Sequence, residues 1–599
     1  MENLDYGIIG NCRSAALVSK YGSIVWCCLP EFDSSSIFAQ LLDEKIGGSF
    51  EILVEDDYAI SQAYLYNTGI LVTTFTNGDD IFEVRDFMPR YKKDNNNHHS
   101  PPEIVRYIKL ISGQPTFRIK YNPKLEYAAD ETFSYVKDQF IISITDTKKF
   151  DSIFLYSNFD KMKIVDGDEI QLTGDGYFAL TYNEKLFEPT VEKISLEFER
   201  TKIYWLEWTA KTPQYQKYND EIVRSSITLK MLSYQKTGAV LAAVTTSLPE
   251  TIGEVRNWDY RFCWIRDASM VVKVLSRIGH KKMAKEYLQF VIDIIPDKDE
   301  KLQIMYGINK EKNLTEEFLD HLGGYMGSKP VRIGNAAFVQ RQNDIYGILM
   351  DVIYQQLIYF SNDLENGEEL WNITKGIVWV VDKHWREPDK GIWEFRTEER
   401  HFTFSKVLCW VAVDKAIKVA ELLGKTSKAE KWKRLEAEIK TDIMQHAWSE
   451  KVQSFTQSYG SDDLDASVLL MESFDFIEAQ DPKFIATVKA IEKELSNEGL
   501  LYRYKNKDDF GLPSSSFTIC TFWFINSLYR IGERQKAEQL FHKLLSYSNH
   551  LGLFSEDIDF KAKRLLGNFP QAYSHLALIE TAINLSNITE EENLIAALR

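Results

Sequence analysis

The sequence predicts two unequal parts: an antiparallel β-sandwich over residues 1–195 and a closed ring of helical hairpins over 221–599, with 196–220 as the linker. Three observations carry this. Apolar residues recur every second position up to about residue 195, they take a helical period beyond about 220, and there helices apolar all round alternate with helices apolar along one stripe.

In the first part Phe133 and Tyr135 lead into Lys137-Asp138-Gln139, after which Phe140, Ile142 and Ile144 alternate with polar positions, as a hairpin does. Comparable runs lie around 68–76, 104–111, 117–127 and 152–156. Many short strands between turn-rich breaks favour an antiparallel sandwich over a parallel sheet. Lys92 to Pro102, with its Asn-Asn-Asn-His-His core, reads as a polar loop. Asp166-Gly167-Asp168 reads as a hairpin turn, since the Glu that a calcium loop needs at its twelfth position is missing. Trp205 and Trp208, followed by Lys-, Gln- and Tyr-rich sequence, fall in the expected linker.

In the second part Phe404, Leu408, Val411, Val419 and Leu422 keep one face until Gly424 stops the helix. Ser427-Lys428-Ala429-Glu430 then offers a capping box for a helix with Trp432, Leu435, Ile439 and Ile443 in one stripe. Phe517 to Ile531 is apolar nearly all round, and the helix after it shows only Ala537, Leu540, Phe541 and Leu544. About 380 residues at about 30 per helix and connection give roughly twelve helices, which fit six hairpins closed in a ring.

Composition narrows the function by exclusion. With 71 basic against 88 acidic residues the net charge is −17, which repels nucleic acid and anionic membrane surfaces and leaves neutral ligands. No run approaches the roughly 18 apolar residues of a membrane helix. The opening Met1-Glu2-Asn3-Leu4-Asp5 carries acid where a signal peptide needs base, so a cytoplasmic location is expected. Cys12, Cys27, Cys28, Cys263, Cys409 and Cys520 form no Cys-x-x-Cys pair and read as buried thiols of a reducing compartment. No metal signature and no cofactor motif is present. Walker loop, Gly-x-Ser-x-Gly elbow and His-Glu-x-x-His helix are all missing. Aromatic residues reach 13%, with 13 Trp, a composition that serves a helical core and sugar stacking equally.

The candidate chemistry lies in acids set among aromatics. Asn257-Trp258-Asp259-Tyr260-Arg261-Phe262-Cys263-Trp264-Ile265-Arg266-Asp267 runs directly into an apolar helix. Arg266 and Asp267 there suit either a helix cap or a hydrogen-bond clamp for sugar hydroxyls, with Trp264 as a stacking wall. Glu394, in Gly391-Ile392-Trp393-Glu394, stands beside an indole that would desolvate it and keep it protonated, as a general acid must be. Glu556 follows Gly552-Leu553-Phe554-Ser555 in a loop between helices. Two such glutamates meet the needs of glycoside hydrolysis, one protonating the leaving oxygen and one activating water.

At these residues the sequence resembles glycoside hydrolase family 15, the glucoamylase-like family that also contains bacterial and archaeal trehalases and glucodextranases. The resemblance spans nearly the whole chain. It runs from Asp5 to Arg13, Cys28 to Ser34 and Thr246-Ser247-Leu248-Pro249-Glu250 through the Asn257 to Asp267 block and Arg332 to Ala337. It continues with Gly391 to Glu394, Arg400-His401-Phe402-Thr403, Ser555-Glu556 and Gly567 to His575. The resemblance implies a β-sandwich followed by an (α/α)6 barrel, and an inverting enzyme that removes glucose from the non-reducing end of an α-glucoside. It implies Glu394 as general acid and Glu556 as general base. Arg266 and Asp267 would grip the terminal glucose beside Trp264 and Trp393, with Arg332 and His401 in motifs near the pocket. The chain departs from the pattern at Pro513-Ser514-Ser515-Ser516-Phe517, where many bacterial members carry an acid and a glycine before Phe, and at Val25, where an acid before Trp26 is common.

Short malto- or isomalto-type α-glucosides are therefore the first expected substrate, trehalose the close alternative, and phosphorolysis of a disaccharide a third. A retained Glu556 favours water over phosphate as nucleophile.

Overall fold

The computed structural model describes residues 3–94, 97–146, 151–295, 302–359 and 367–586. Asn95 and Asn96 of the polar loop, and the end of the chain beyond 586, lie outside the described residues.

Two antiparallel sheets make the β-sandwich. One runs in the order Tyr6–Gly10, Ala15–Ser19, Ile24–Cys28, Ser49–Leu53, Thr116–Asn122, Ile170–Gln171, with Ser36–Phe38 beside Ile24–Cys28. The other runs Thr132–Lys137, Phe140–Thr145, Ser152–Ser157, Gly176–Tyr182, Glu103–Ser112, Asp80–Phe87, Leu71–Asn77, Ala59–Tyr64. The two-residue period acts as expected: in Leu71–Asn77 the alternate residues Leu71, Thr73 and Phe75 turn inward. Between the sheets Phe50 meets Phe178 edge-on with centroids 5.4 Å apart, and Phe82 lies 5.6 Å from Phe117. A fully buried Arg106–Asp86 pair (2.8 Å) also reaches across to the carbonyl of Phe50 at 2.9 Å, so the core charges are paired and hydrogen-bonded.

The helical part is an (α/α)6 barrel. Its inner ring is Ile265–Arg277, Asp344–Tyr359, Thr403–Leu422, the short 3₁₀ turn Ala466–Met471, Thr518–Arg530 and Ala572–Leu585. Each touches the next, and the last touches the first. Outside them stand Lys281–Ile294, Gly367–His384, Thr426–His446, Pro482–Leu495, Arg534–Leu545 and Asn219–Met231, each against an inner element. Sequence explains which is which. Thr403–Leu422 is buried on nearly every side, whereas Thr426–His446 buries only Ala429, Trp432, Leu435, Ile439 and Ile443. No described helix is long and apolar enough to cross a membrane.

Local expectations need four corrections. The segment taken as a linker belongs largely to a 19-residue helix, Val191–Thr209, capped by the Thr190 side chain. Ile194, Phe198, Thr201, Trp205 and Trp208 give it a buried stripe at three- and four-residue steps, and Trp205 sits 2.8 Å from where a Cβ on Gly69 would stand. Gly167 ends the short helix Lys161–Asp166 in the left-handed conformation and does not turn a hairpin. The helix after Gly424 starts at Thr426 with Lys425 at its N-cap, two residues too early for a box built on Ser427, and it has no side-chain cap. Within Lys92 to Pro102, His98–His99 pairs with Tyr91–Lys92 as a small ladder.

The sandwich also braces the barrel. Trp26 donates its indole N–H to the carbonyl of Val244 at 2.8 Å. Arg261, locked to Asp259 at 2.7 Å, donates to the Ser34 carbonyl (3.0 Å) and the Tyr127 hydroxyl (2.8 Å). These contacts fix the stretch from Asp259 to Arg261, on which the pocket below is built.

Candidate active site

A pocket opens where the inner helices begin. Its walls include Glu250, Trp258, Tyr260, Trp264, Arg266 and Asp267 on one side and Trp393, Glu394, Arg503, Tyr504, Gln571 and Tyr573 on the other. Six of the eight residues expected from sequence therefore converge: five on the pocket wall, and Glu556 directly behind it.

The deep end is the first turn of Ile265–Arg277. Arg266 and Asp267 are 5% and 7% exposed, so neither is a solvated cap. The Arg266 guanidinium donates to Asp267 (3.1 Å), the Tyr573 hydroxyl (2.5 Å), Gln342 (3.0 Å) and the Ile392 carbonyl (3.3 Å). Burial pushes the Asp267 carboxyl up to about 6, against the pull of Arg266 and the Tyr573 hydroxyl. A rigid cation and a carboxylate side by side at a helix start make a donor–acceptor pair suited to vicinal hydroxyls.

Glu394 rides on a loop closed by the Asp389–Arg400 backbone pairing. Its amide returns to the Gly391 carbonyl at 3.2 Å, and its own backbone takes the left-handed conformation, φ 60°. Gly391 is required there: a Cβ would stand 2.7 Å from the Phe402 ring. Glu394 is half-buried, and the Trp264 indole donates to its Oε1 at 2.8 Å. Trp264 thus holds the Glu394 carboxylate by a hydrogen bond, where a stacking wall was expected of it. Trp393 donates to Asp465 (2.8 and 3.0 Å) and packs edge-on against Phe517.

Glu556 sits just ahead of the strand Asp557–Ile558, which pairs with Ser516–Phe517 on one side and Leu565–Leu566 on the other. It lies one layer behind the wall, fully buried, and accepts the Tyr260 hydroxyl at Oε1 and the Asn568 amide at Oε2 (3.3 Å). Gly567 leaves the space it occupies: a Cβ there would fall 2.7 Å from the Glu556 side chain. Burial and the neighbouring charge of Glu250 hold the Glu556 carboxyl well above the usual carboxylate range, opposed by Tyr260 and Arg503. Asp557, buried beside it, is raised by the same causes.

Sequence reasoning assigned no role to Glu250, Tyr260, Arg503 or Tyr573. Glu250 holds Arg503 in a buried pair (2.8 and 3.4 Å), so one guanidinium serves three carboxyls, Glu250, Glu556 and Asp557. Three of these four residues stood in motifs quoted for the resemblance. The exchanged serines are absorbed here too: Ser515 donates to Asp557 at 2.8 Å, Ser516 to the Leu501 carbonyl at 3.1 Å, and Ser514 pairs with Thr251 at 2.7 Å.

Arg332 and His401 are not on the pocket wall. Arg332 lies behind Trp258, 4.5 Å from its ring centroid, and donates to the carbonyls of Val255 (2.9 Å) and Asn257 (2.7 Å). His401 stacks on Tyr459 with centroids 5.9 Å apart, and burial lowers its pKa. Among the described residues no cluster of His, Cys, Asp and Glu could hold a metal ion.

A helical ring whose pocket carries a guanidinium–carboxylate clamp, one glutamate on its wall and a second buried behind it has the makings of a glycoside hydrolase. The family model for glycosyl hydrolases family 15 matches residues 216–583, and that for the trehalase-like N-terminal region matches 4–171. The chain belongs to glycoside hydrolase family 15. It is 38% identical over 591 residues to a trehalase of Thermoplasma volcanium, covering 97% of this chain and 93% of the relative. It is 36% identical to a trehalase of Mycolicibacterium smegmatis (98% and 92% covered) and 37% identical to one of Thermoplasma acidophilum (95% and 98%). A bacterial glucoamylase solved with acarbose shares the fold with a TM-score of 0.71 at 13% identity, covering 100% of this chain and 96% of that one.

Proposed function

We propose that the chain is an inverting α,α-trehalase, with Glu394 as general acid and Glu556 as general base. The observation that carries this is the full-length similarity, at 36–38% identity, to three relatives named trehalase. The malto-oligosaccharide expectation gives way to its alternative, since the likeness to a glucoamylase rests on fold alone.

In this mechanism one glucose ring sits against Arg266, Asp267 and Tyr573. Glu394, held through Oε1 by Trp264, gives a proton from its other oxygen to the glycosidic oxygen as the C1–O bond breaks. Water attacks C1 from the opposite face and gives its proton to the Tyr260 hydroxyl as that hydroxyl, on the pocket wall, passes its own to Glu556 behind it, which yields β-glucose from the attacked ring and α-glucose from the departing one. Six buried, unbridged cysteines fit the cytoplasm we propose for it.

The test is glucose release from trehalose, maltose and isomaltose, each with and without phosphate. Trehalose without phosphate should be the best substrate, and proton NMR of the earliest product should show α- and β-glucose in equal amounts. Maltose cleaved faster than trehalose would overturn the substrate, α-glucose alone would exclude inversion, and sugar 1-phosphate formed only with phosphate would make it a phosphorylase.

A pH dependence follows from the buried base. Its working form is the carboxylate, and its pKa is raised, so kcat/KM should climb with pH through a limb above the ordinary carboxylate range. Glu250→Gln removes the like charge and leaves Arg503 to favour ionised Glu556. The limb should then move about one pH unit lower. A limb that stays in place in this variant refutes the link between Glu250 and the base.

A further inference from the structure

Asp465 is a buried carboxylate that the mechanism above leaves without a task. It stands just ahead of the inner-ring turn Ala466–Met471, and none of its hydrogen-bond partners among the described residues is a cation. Three neutral donors from three separate segments close on it. The Ser467 amide reaches Oδ1 at 2.8 Å and so caps the turn, and the Gln457 side chain reaches Oδ2 at 2.9 Å. The Trp393 indole N–H is shared between both oxygens, at 3.0 and 2.8 Å. Burial pushes the Asp465 carboxyl up, opposed by these donors.

The site of Asp465 is itself fixed on two sides. Gln457 accepts the amide of Thr403 at its carbonyl (2.9 Å), where the inner helix Thr403–Leu422 begins. The amide of Ala466 donates to the carbonyl of Arg503 at 2.9 Å, on the opposite wall of the pocket. Trp393 therefore binds to a carboxylate that is already held.

The backbone of the acid shows why that matters. The turn from Gly391 to Glu394 has positive φ at both ends, 66° and 60°. A glutamate keeps such a conformation only where its surroundings over-determine it. Two short side-chain hydrogen bonds hold this turn, Trp264 at the Glu394 carboxyl and Asp465 at the indole of the preceding residue, 2.8 Å each. The first grips only the end of the side chain. The second ties the turn to the inner ring, with the Trp393 ring packed against Phe517 and Trp523, centroids 5.4 and 6.2 Å away.

We propose that Asp465 is a positioning residue for the general acid: it pins the Trp393 indole to the inner ring and so keeps the turn that carries Glu394 in its working conformation. The proposal rests on the reading of Glu394 as the acid. Its consequence is selective, because a misplaced acid impairs proton donation and spares a reaction that needs none.

Two variants break the tether from opposite ends. Asp465→Asn keeps the size and a cap for the Ser467 amide, but turns one oxygen into a donor that faces donors. Trp393→Phe removes the indole N–H and keeps an aromatic ring. In each, kcat for trehalose should fall at least about tenfold while KM changes less than about threefold. With α-glucosyl fluoride, whose leaving group needs little help from an acid, kcat/KM should stay within about threefold of wild type. A merely structural role would lower both substrates together. Equal losses on the two substrates, a rise in KM that exceeds the fall in kcat, or a wild-type kcat for trehalose in either variant overturns the proposal. If Asp465→Asn does not fold, Trp393→Phe decides. If Glu394→Gln keeps the wild-type rate on trehalose, the acid assignment fails and the positioning role with it. If Glu394→Gln loses that rate and the tether variants keep it, the positioning role alone fails. A wild type that leaves trehalose intact refutes the trehalase assignment instead, and the same comparison is then made between maltose and the fluoride.

Discussion

Glu394→Gln is expected to lower kcat/KM for trehalose by about 10²–10⁴-fold, the usual worth of a positioned proton donor, and Glu556→Gln by a similar factor. The amide in each case keeps the shape and much of the hydrogen bonding, so circular dichroism and thermal melting should change little. The two roles separate with α-glucosyl fluoride, whose leaving group needs little help from an acid. Glu394→Gln should regain most of its rate on that substrate, because the step it impairs is no longer required. Glu556→Gln should stay slow, because water must still be activated. If both variants keep wild-type activity on trehalose, neither glutamate is catalytic. If the fluoride rescues Glu556→Gln and not Glu394→Gln, the two assignments are reversed.

The second large effect is expected at a residue with no side chain. Gly567 holds φ at +74°, and a Cβ there would stand 2.7 Å from both the Cβ and Oε2 of Glu556 and 3.3 Å from Oδ2 of Asp557. Gly567→Ala must push Glu556, the proposed base, aside, and displacements of about 1 Å in a catalytic group cost on the order of 10²-fold. The expected result is a fall in kcat of about that size with KM changed far less, since the sugar clamp at Arg266 and Asp267 lies on a different element. Steady-state kinetics on trehalose would read it. An equal rise in KM with kcat preserved would mean that the substitution disturbs the clamp and leaves the base in place.

The fold was legible wherever burial imposes a single period over many residues. Phe133 to Ile144 forms the hairpin its alternation suggests, although Phe133 and Tyr135 lie on the exposed side, and Phe404 to Leu422 shows its inner place in Phe404, Leu408, Val411 and Val419, with Lys406 and Lys415 buried beside them. The helix over Val191–Thr209 carries an equally regular stripe from Ile194 to Trp208, but its polar faces are dense in Glu, Lys and Arg and hide it. Corrections such as Lys425 for Ser427 as a helix cap turn on two residues, which no periodic pattern resolves.

Glu394, Arg266, Asp267 and Glu556 stood out in the sequence as acids and a cation among aromatics, and the family resemblance of their motifs gave them their expected roles. Glu250 and Arg503 escaped because their relation spans 253 residues and exists only once the chain has folded. Arg332 and His401 mark the opposite case. Both stand in recognisable motifs, yet one braces the back of Trp258 and the other stacks on Tyr459, so membership in a motif placed them near the pocket without placing them in it.

The left-handed backbone at Glu394 bears on how this enzyme could be made more stable. For a residue with a Cβ that conformation costs about 1–2 kcal/mol, which glycine escapes. A search that rewards thermal stability alone would thus be drawn to replace the very residue proposed to break the glycosidic bond. Selection for stability and selection for turnover pull in opposite directions at this position, and the two must be screened together.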